Sequence, residues 1–388
     1  MASTAVHRAA YGLGLLATGA AGGIWLERSA KTLDEPPTEE IVTIAGAIGN
    51  TPLLEIKSLS KLTGCRILAK AEFMNPSGSI KDRAAKYLIE DAERSGALQP
   101  GGTVVEATGG NTGVGLAIVA ASKGYKTIFT MPDKTSREKI ELMQVLGATV
   151  HVQPTVGWDD PANFYNVAKR IVATNPTSHC GPNQFKNLAN SRAHYEGTGA
   201  EIWRQTAGRV DGFVASSGTG GTISGVSVFL KEQNPRVQVW NIDPLEGGAT
   251  SDYVNSQRTN SLVECGREAL NARHGSTVCT ASKIAEGIGL AHVTPNFKQA
   301  QIDRGIFGSN ADIVQMAYHL LRHDGIFVGP SAALNVVGAV KMARALGPGH
   351  TVVTVLCDGG DRYRSKLFNA SWLADHNLTE SVGAPLEL

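Results

Sequence analysis

Cysteine is scarce and scattered in this 388-residue chain: Cys65, Cys180, Cys265, Cys279 and Cys357 are odd in number and never form a C-x-x-C pair. That argues against a disulfide scaffold or a zinc knuckle, gives no metal site to expect, and fits a reducing compartment. A surplus of either charge is also missing. The 36 basic and 35 acidic residues nearly cancel to a formal +1 and form no long run of one sign, so small metabolites are expected as partners and nucleic acid is not. No repeat of fixed period is found. Long apolar runs are lacking apart from Ala9 to Leu26, an uncharged stretch of borderline membrane length between Arg8 and Glu27. We read it as an apolar N-terminal helix that anchors the chain in a membrane. Secretory and mitochondrial leaders both carry more arginine than the single Arg8 ahead of this stretch. Arg28 and Lys31 outweigh Arg8, which leaves the body on the cytosolic side.

Glycine is what the chain has in quantity, 44 residues, and much of it closes apolar runs. Residues 1–40 read as the anchor and a Pro36-Pro37 linker. Residues 41–190 and 191–372 read as two α/β domains, the first strands crossing to the other domain, followed by a tail at 373–388. The expected strands are Arg66 to Phe73, Thr103 to Ala107, Lys126 to Met131, Thr149 to Val152, Val210 to Ala215, Val237 to Ile242 and Thr351 to Leu356. The expected helices start at Ser79, Asn111, Ser136, Ala162, Ser191, Thr222, Ala311 and Ala332. Such alternation predicts two three-layer αβα domains with mostly parallel sheets. Gly247 to His274 reads as a surface loop.

Four strand-to-helix junctions carry candidate chemistry. Asn75-Pro76-Ser77-Gly78-Ser79-Ile80-Lys81-Asp82-Arg83 places Lys81 in the first turn of a helix, where the dipole disfavours a cation. The lysine is either a snorkelling surface residue or a reactive amine. Thr108-Gly109-Gly110-Asn111-Thr112-Gly113 is either a plain βα turn with an asparagine cap or a loop whose amides and hydroxyls hold a carboxylate and a phenolic oxygen. Gly218-Thr219-Gly220-Gly221-Thr222 forms a phosphate cup, with neither a Walker lysine nor the dinucleotide spacing. Ser331, after Gly329-Pro330, is a helix cap or the partner of a neutral ring nitrogen. Together the four match one ligand, pyridoxal 5'-phosphate. A serine at the ring nitrogen suits β-elimination chemistry more than transamination.

With Asn183-Gln184-Phe185, Glu286-Gly287-Ile288-Gly289 and Asp358-Gly359-Gly360-Asp361-Arg362-Tyr363, these motifs resemble the cysteine synthase (O-acetylserine sulfhydrylase) family of fold-type II, tryptophan synthase β-like enzymes. The resemblance runs from about Ile41 to Trp372 and, with the anchor, is greatest to fungal mitochondrial cysteine synthase-like proteins. It implies Lys81 as Schiff-base lysine and general base, and Asn111 on the ring hydroxyl. Gly218, Thr219, Gly220, Gly221 and Thr222 would hold the phosphate, and Ser331 the ring nitrogen. Thr108, Gly109, Gly110, Thr112, Gln184 and Gly287 would lie at the substrate. It also implies O-acetylserine and sulfide as substrates, a homodimer, contact with a serine acetyltransferase, and a place on the mitochondrial outer membrane or, after cleavage, in the matrix. Two departures stand out. Gly109 replaces the serine usual in the family's Thr-Ser-Gly-Asn-Thr loop, a lost donor to a charged group that costs roughly 1.5–3 kcal/mol. Leu290-Ala291-His292 replaces the usual small residues and aromatic, and His292 is read as structural.

Overall fold

The computed structural model describes residues 42–157, 159–256, 284–290 and 293–386. The apolar stretch at 9–26, the linker to residue 40, His292 and most of 247–274 lie outside them. Among the described residues, no helix is long and apolar enough to cross a membrane.

Strands β1 (Leu53–Glu55), β2 (Arg66–Ala71), β7 (Gly212–Ser216), β8 (Gln238–Pro244), β9 (Arg304–Gly308) and β10 (Thr351–Leu356) form a six-stranded sheet in the order β1-β2-β10-β7-β8-β9. Strands β3 (Thr103–Ala107), β4 (Lys126–Pro132), β5 (Thr149–Gln153) and β6 (His179–Cys180) form a four-stranded sheet in the order β5-β4-β3-β6. Among the strand pairs of the described residues, β1–β2 is antiparallel and the rest are parallel. β3 and β10 are buried along their whole length, as helices on both faces of a parallel sheet require. The N-terminal strands β1 and β2 join the large sheet beside β10, with Val352 opposite Ile67 and Leu356 opposite Ala71.

Several elements differ from expectation. β2 stops at Ala71, and Glu72–Met74 turns into a 3-10 helix that points Glu72 inward. The helix expected from Ser191 is three pieces, Ala189–Ala193, a π-helical His194–Gly199 and Ala200–Gln205. The π segment packs beside the Gly221–Gln233 helix, where a Cβ at Gly225 would stand 2.2 Å from the Ser191 carbonyl. Part of the expected surface loop is structure instead: Thr250–Asn255 is a short helix, with Thr250 and Ser251 buried against the Asp243 carboxylate. Short strands β6 and β9 were not expected at all.

In both sheets the chemistry-bearing loops leave the carboxyl ends of parallel strands, the end at which open α/β sheets bind ligands.

Candidate active site

Lys81 is the first residue of the Lys81–Arg94 helix. The turn before it is tied to the end of β10: the Ile80 amide donates to the Cys357 carbonyl at 2.8 Å, and Ser79 bridges Asp358. Asp82, next in the helix, is buried and accepts from the Ser77 amide at 2.6 Å, which puts a carboxylate where the dipole favours one. The Lys81 amine turns inward rather than snorkelling, and Nζ lies 3.5 Å from Thr219 Oγ1. Burial lowers its pKa, opposed in part by the neighbouring Cys357.

The Gly218–Thr222 segment joins β7 to the Gly221–Gln233 helix. Gly220 has φ +87°, and a Cβ there would meet the Phe297 amide nitrogen at 2.5 Å. A Cβ at Gly218 would stand 2.0 Å from the Gly287 carbonyl oxygen, so Gly287 lies against this cup. Thr219 is held from two sides, by Asn190 Nδ2 on its hydroxyl at 2.9 Å and by the Thr294 hydroxyl on its carbonyl at 2.6 Å. No acceptor among the described residues takes the amides of residues 218–222. A helix N-terminus with free amides is a ready anion site.

Ser331 is buried in the first turn of the Pro330–Leu346 helix, close enough to the Cys357 thiol to lower its pKa against the effect of burial. Asn335 Nδ2 reaches the same sulfur at 3.3 Å. Burial, with Asp358 adding to it, pushes the Cys357 thiol up to about 12, so the sulfur stays protonated and uncharged.

On the other side of the cleft, between β3 and the Asn111–Ser122 helix, the Thr112 hydroxyl donates to Gln184 Oε1 at 2.6 Å, and the Gly110 amide donates to Thr108 Oγ1 at 3.2 Å. Buried Glu106 supports this loop from behind by accepting the Asn183 amide at 2.9 Å; burial raises its carboxyl to about 7, against the pull of three backbone amides. Asn111 donates to Asp358 Oδ2 at 2.6 Å, and its carbonyl accepts from Arg362, which also donates to the Ser77 carbonyl. The Tyr363 hydroxyl donates to the same Asp358 oxygen at 2.7 Å, while Asp358 Oδ1 is buried with no hydrogen-bond partner among the described residues.

Lys81, Thr219, Cys357 and Ser331 thus share one neighbourhood, and Asn111 joins it through Asp358 and Arg362. Sequence reasoning assigned no role to Cys357, Asp358, Arg362 or Tyr363. Their signal was the polar run that follows a Val- and Thr-rich strand, β10. The residues fit pyridoxal phosphate: for its phosphate, free amides in a cup whose three glycines leave no room for a Cβ; for its aldehyde, an inward-facing amine with a lowered pKa; and for its ring nitrogen, a buried uncharged hydroxyl.

Residues 44–358 match the family described as pyridoxal-phosphate dependent enzyme. The chain belongs to that family. It is 47% identical to the cysteine synthase of Dictyostelium discoideum, with 87% of each chain covered. It is 40% identical to a Saccharomyces cerevisiae protein whose name proposes a mitochondrial cysteine synthase, over 90% of this chain and 89% of that one. The solved structure of an O-acetylserine dependent cystathionine beta-synthase from Helicobacter pylori superposes with a TM-score of 0.72 at 32% identity, covering 84% of this chain and 98% of the other.

Proposed function

We propose that this chain makes L-cysteine and acetate from O-acetyl-L-serine and sulfide by β-replacement, with pyridoxal phosphate as cofactor. The observation that carries the reading is the meeting of one inward-facing amine, Lys81, with the free-amide cup at Thr219. When bound, pyridoxal phosphate supplies the electron sink that makes the substrate's α-proton removable and its β-acetate expellable.

The residues divide the remaining work. Gly218 to Thr222 take the phosphate through their amides, and Asn111, fixed by Asp358 and Arg362, faces the ring hydroxyl with its second amide proton. Ser331 offers a hydroxyl and no charge, and the protonated Cys357 beside it adds none. Thr108, Gly109, Gly110, Thr112 and Gln184 surround the substrate carboxylate, with Gly287 flanking the cup. Lys81, its pKa lowered by burial, is the base that removes the α-proton. Residues 41–190 and 191–372 are two domains flanking this cleft, with strands β1 and β2 of the first crossing to the sheet of the second.

Addition of O-acetylserine to the holoenzyme shifts the cofactor's visible absorbance, and sulfide reverses the shift with release of cysteine. A protein that binds the cofactor but shows no shift is a sensor, and the proposal falls. An amino-acid thiol that reverses the shift where sulfide does not would move the activity to that of a cystathionine synthase. Residues 9–26 anchor the enzyme on the outer face of mitochondria, in keeping with the name of the yeast relative. Protection of the enzyme body from protease added to intact mitochondria would exclude that orientation.

A further inference from the structure

The place where a side chain at residue 109 would begin is already taken. An ideal Cβ on Gly109 would stand 2.6 Å from Thr135 Oγ1, 3.0 Å from Thr135 Cγ2 and 3.3 Å from Met131 Cβ. Thr135 comes from another element, the turn between β4 and the Arg137–Val145 helix, where its amide donates to the Pro132 carbonyl at 3.0 Å. Positions 109 and 135 therefore share one volume, and either glycine with threonine or a larger residue 109 with a smaller residue 135 can fill it.

The hydroxyls of this region are not equally free. Thr112 spends its proton on Gln184, while Thr108 Oγ1 is held in place by the Gly110 amide and keeps its proton to donate. Thr135 is half-buried, and its hydroxyl makes no hydrogen bond among the described residues. We propose that Thr135 binds the α-carboxylate of the amino-acid substrate, supplying across the cleft the hydroxyl that the Gly109 loop does not carry. This rests on the reading of the Thr108–Thr112 loop as the carboxylate site. The donor comes from a loop of β4 instead of β3, so substrate binding depends on how the Arg137–Val145 helix is seated.

The test uses the holoenzyme and four variants: Thr135→Val, Thr135→Ser, Gly109→Ser and Gly109→Ser/Thr135→Ala. Kinetic constants for O-acetylserine are measured beside the dissociation constant of glycine, which has the carboxylate and amine but no leaving group, by titrating the cofactor absorbance. A hydroxyl donating to a carboxylate is worth about tenfold or more in affinity. Thr135→Val is expected to raise both KM for O-acetylserine and the glycine dissociation constant by about that factor with kcat nearly unchanged, and Thr135→Ser to stay near wild type. Gly109→Ser weakens binding by crowding, and adding Thr135→Ala restores it. Equal weakening by valine and serine means that Thr135 only packs, and unchanged binding in the valine variant removes it from the site; either overturns the proposal. Wild-type protein that binds glycine but does not turn over O-acetylserine would fail the β-replacement reading alone, because the glycine titration still reports on Thr135.

Discussion

Lys81→Ala is expected to lose the yellow absorbance of a lysine-linked aldehyde cofactor, and to lose turnover by a factor on the order of 10³–10⁴. No other amine replaces it, since Lys70 is fully buried in a salt bridge with Glu201 and Lys139 is paired with Glu286. The same substitution has the opposite effect on folding of the cofactor-free chain. Lys81 is enclosed at a helix N-terminus, and among the described residues no carboxylate is paired with it. Its pKa is lowered in the folded state, so the unfolded chain holds more protons here, and native stability rises with pH between the lowered value and 10.5. Below that window the folded chain keeps an unfavourable enclosed charge, and within it the folded lysine gives up its proton. Alanine removes the cost, and cofactor-free Lys81→Ala is expected to melt at or above the wild-type temperature at neutral pH, the gain vanishing towards pH 10. Retained absorbance and activity would refute the assignment. A large fall in the melting temperature would show that Lys81 is structural.

The visible and the hidden parts of this site differ in how far apart in sequence their partners lie. β3, β10 and the Asn111–Ser122 helix have the boundaries the sequence indicates, because each is rich in β-branched or small apolar residues and gives way within two residues to glycine or a charged residue. Lys81 at a helix start and the Gly218–Thr222 junction were legible for the same local reason. What stayed hidden depends on distant chain. Lys70, within β2, finds its partner Glu201 131 positions away, which no local pattern shows. Gly109 read as a lost hydroxyl because nothing local shows that Thr135 fills its place. The π-helical His194–Gly199 was read as ordinary helix, since the close backbone approach at Gly225 is invisible in periodicity. β6 is only two residues long and β9 carries an exposed arginine and two glycines, too little pattern to mark a strand.

Arg83→Met is expected to destabilise the protein by about 3–5 kcal/mol, the usual result of breaking a buried ion pair from one side. Arg83 lies two residues beyond Lys81 on the same helix, and its guanidinium forks between two carboxylates. Nε and Nη2 donate to Glu72 at 2.6 and 2.8 Å, and Nη1 and Nη2 donate to Glu201 at 2.7 Å each. Lys70 adds a second cation, with Nζ 2.6 Å from Glu201 and 2.7 Å from the Thr51 carbonyl. All four side chains are buried, and their charges cancel in pairs. Methionine fills much of the arginine's volume but leaves one negative charge in excess, so the loss reads electrostatics more than packing. The pH profile separates the two causes. Burial works to raise the Glu201 carboxyl, but Arg83 and Lys70 more than offset it and hold it at about 2, below the ordinary 4.5. That depressed value stabilises the fold above pH 4.5 and is lost as pH falls towards 2. In Arg83→Met the carboxyl moves up, so the variant starts less stable at pH 7 and loses less between pH 5 and 3. Adding Glu201→Gln should return part of the deficit, as coupled neighbours do. Urea unfolding of the three proteins across that pH range measures both effects. An Arg83→Met loss that is the same at pH 3 as at pH 7 would mean that the network stabilises by shape and not by charge. In that case the helix that presents Lys81 would tolerate any side chain of similar size at position 83.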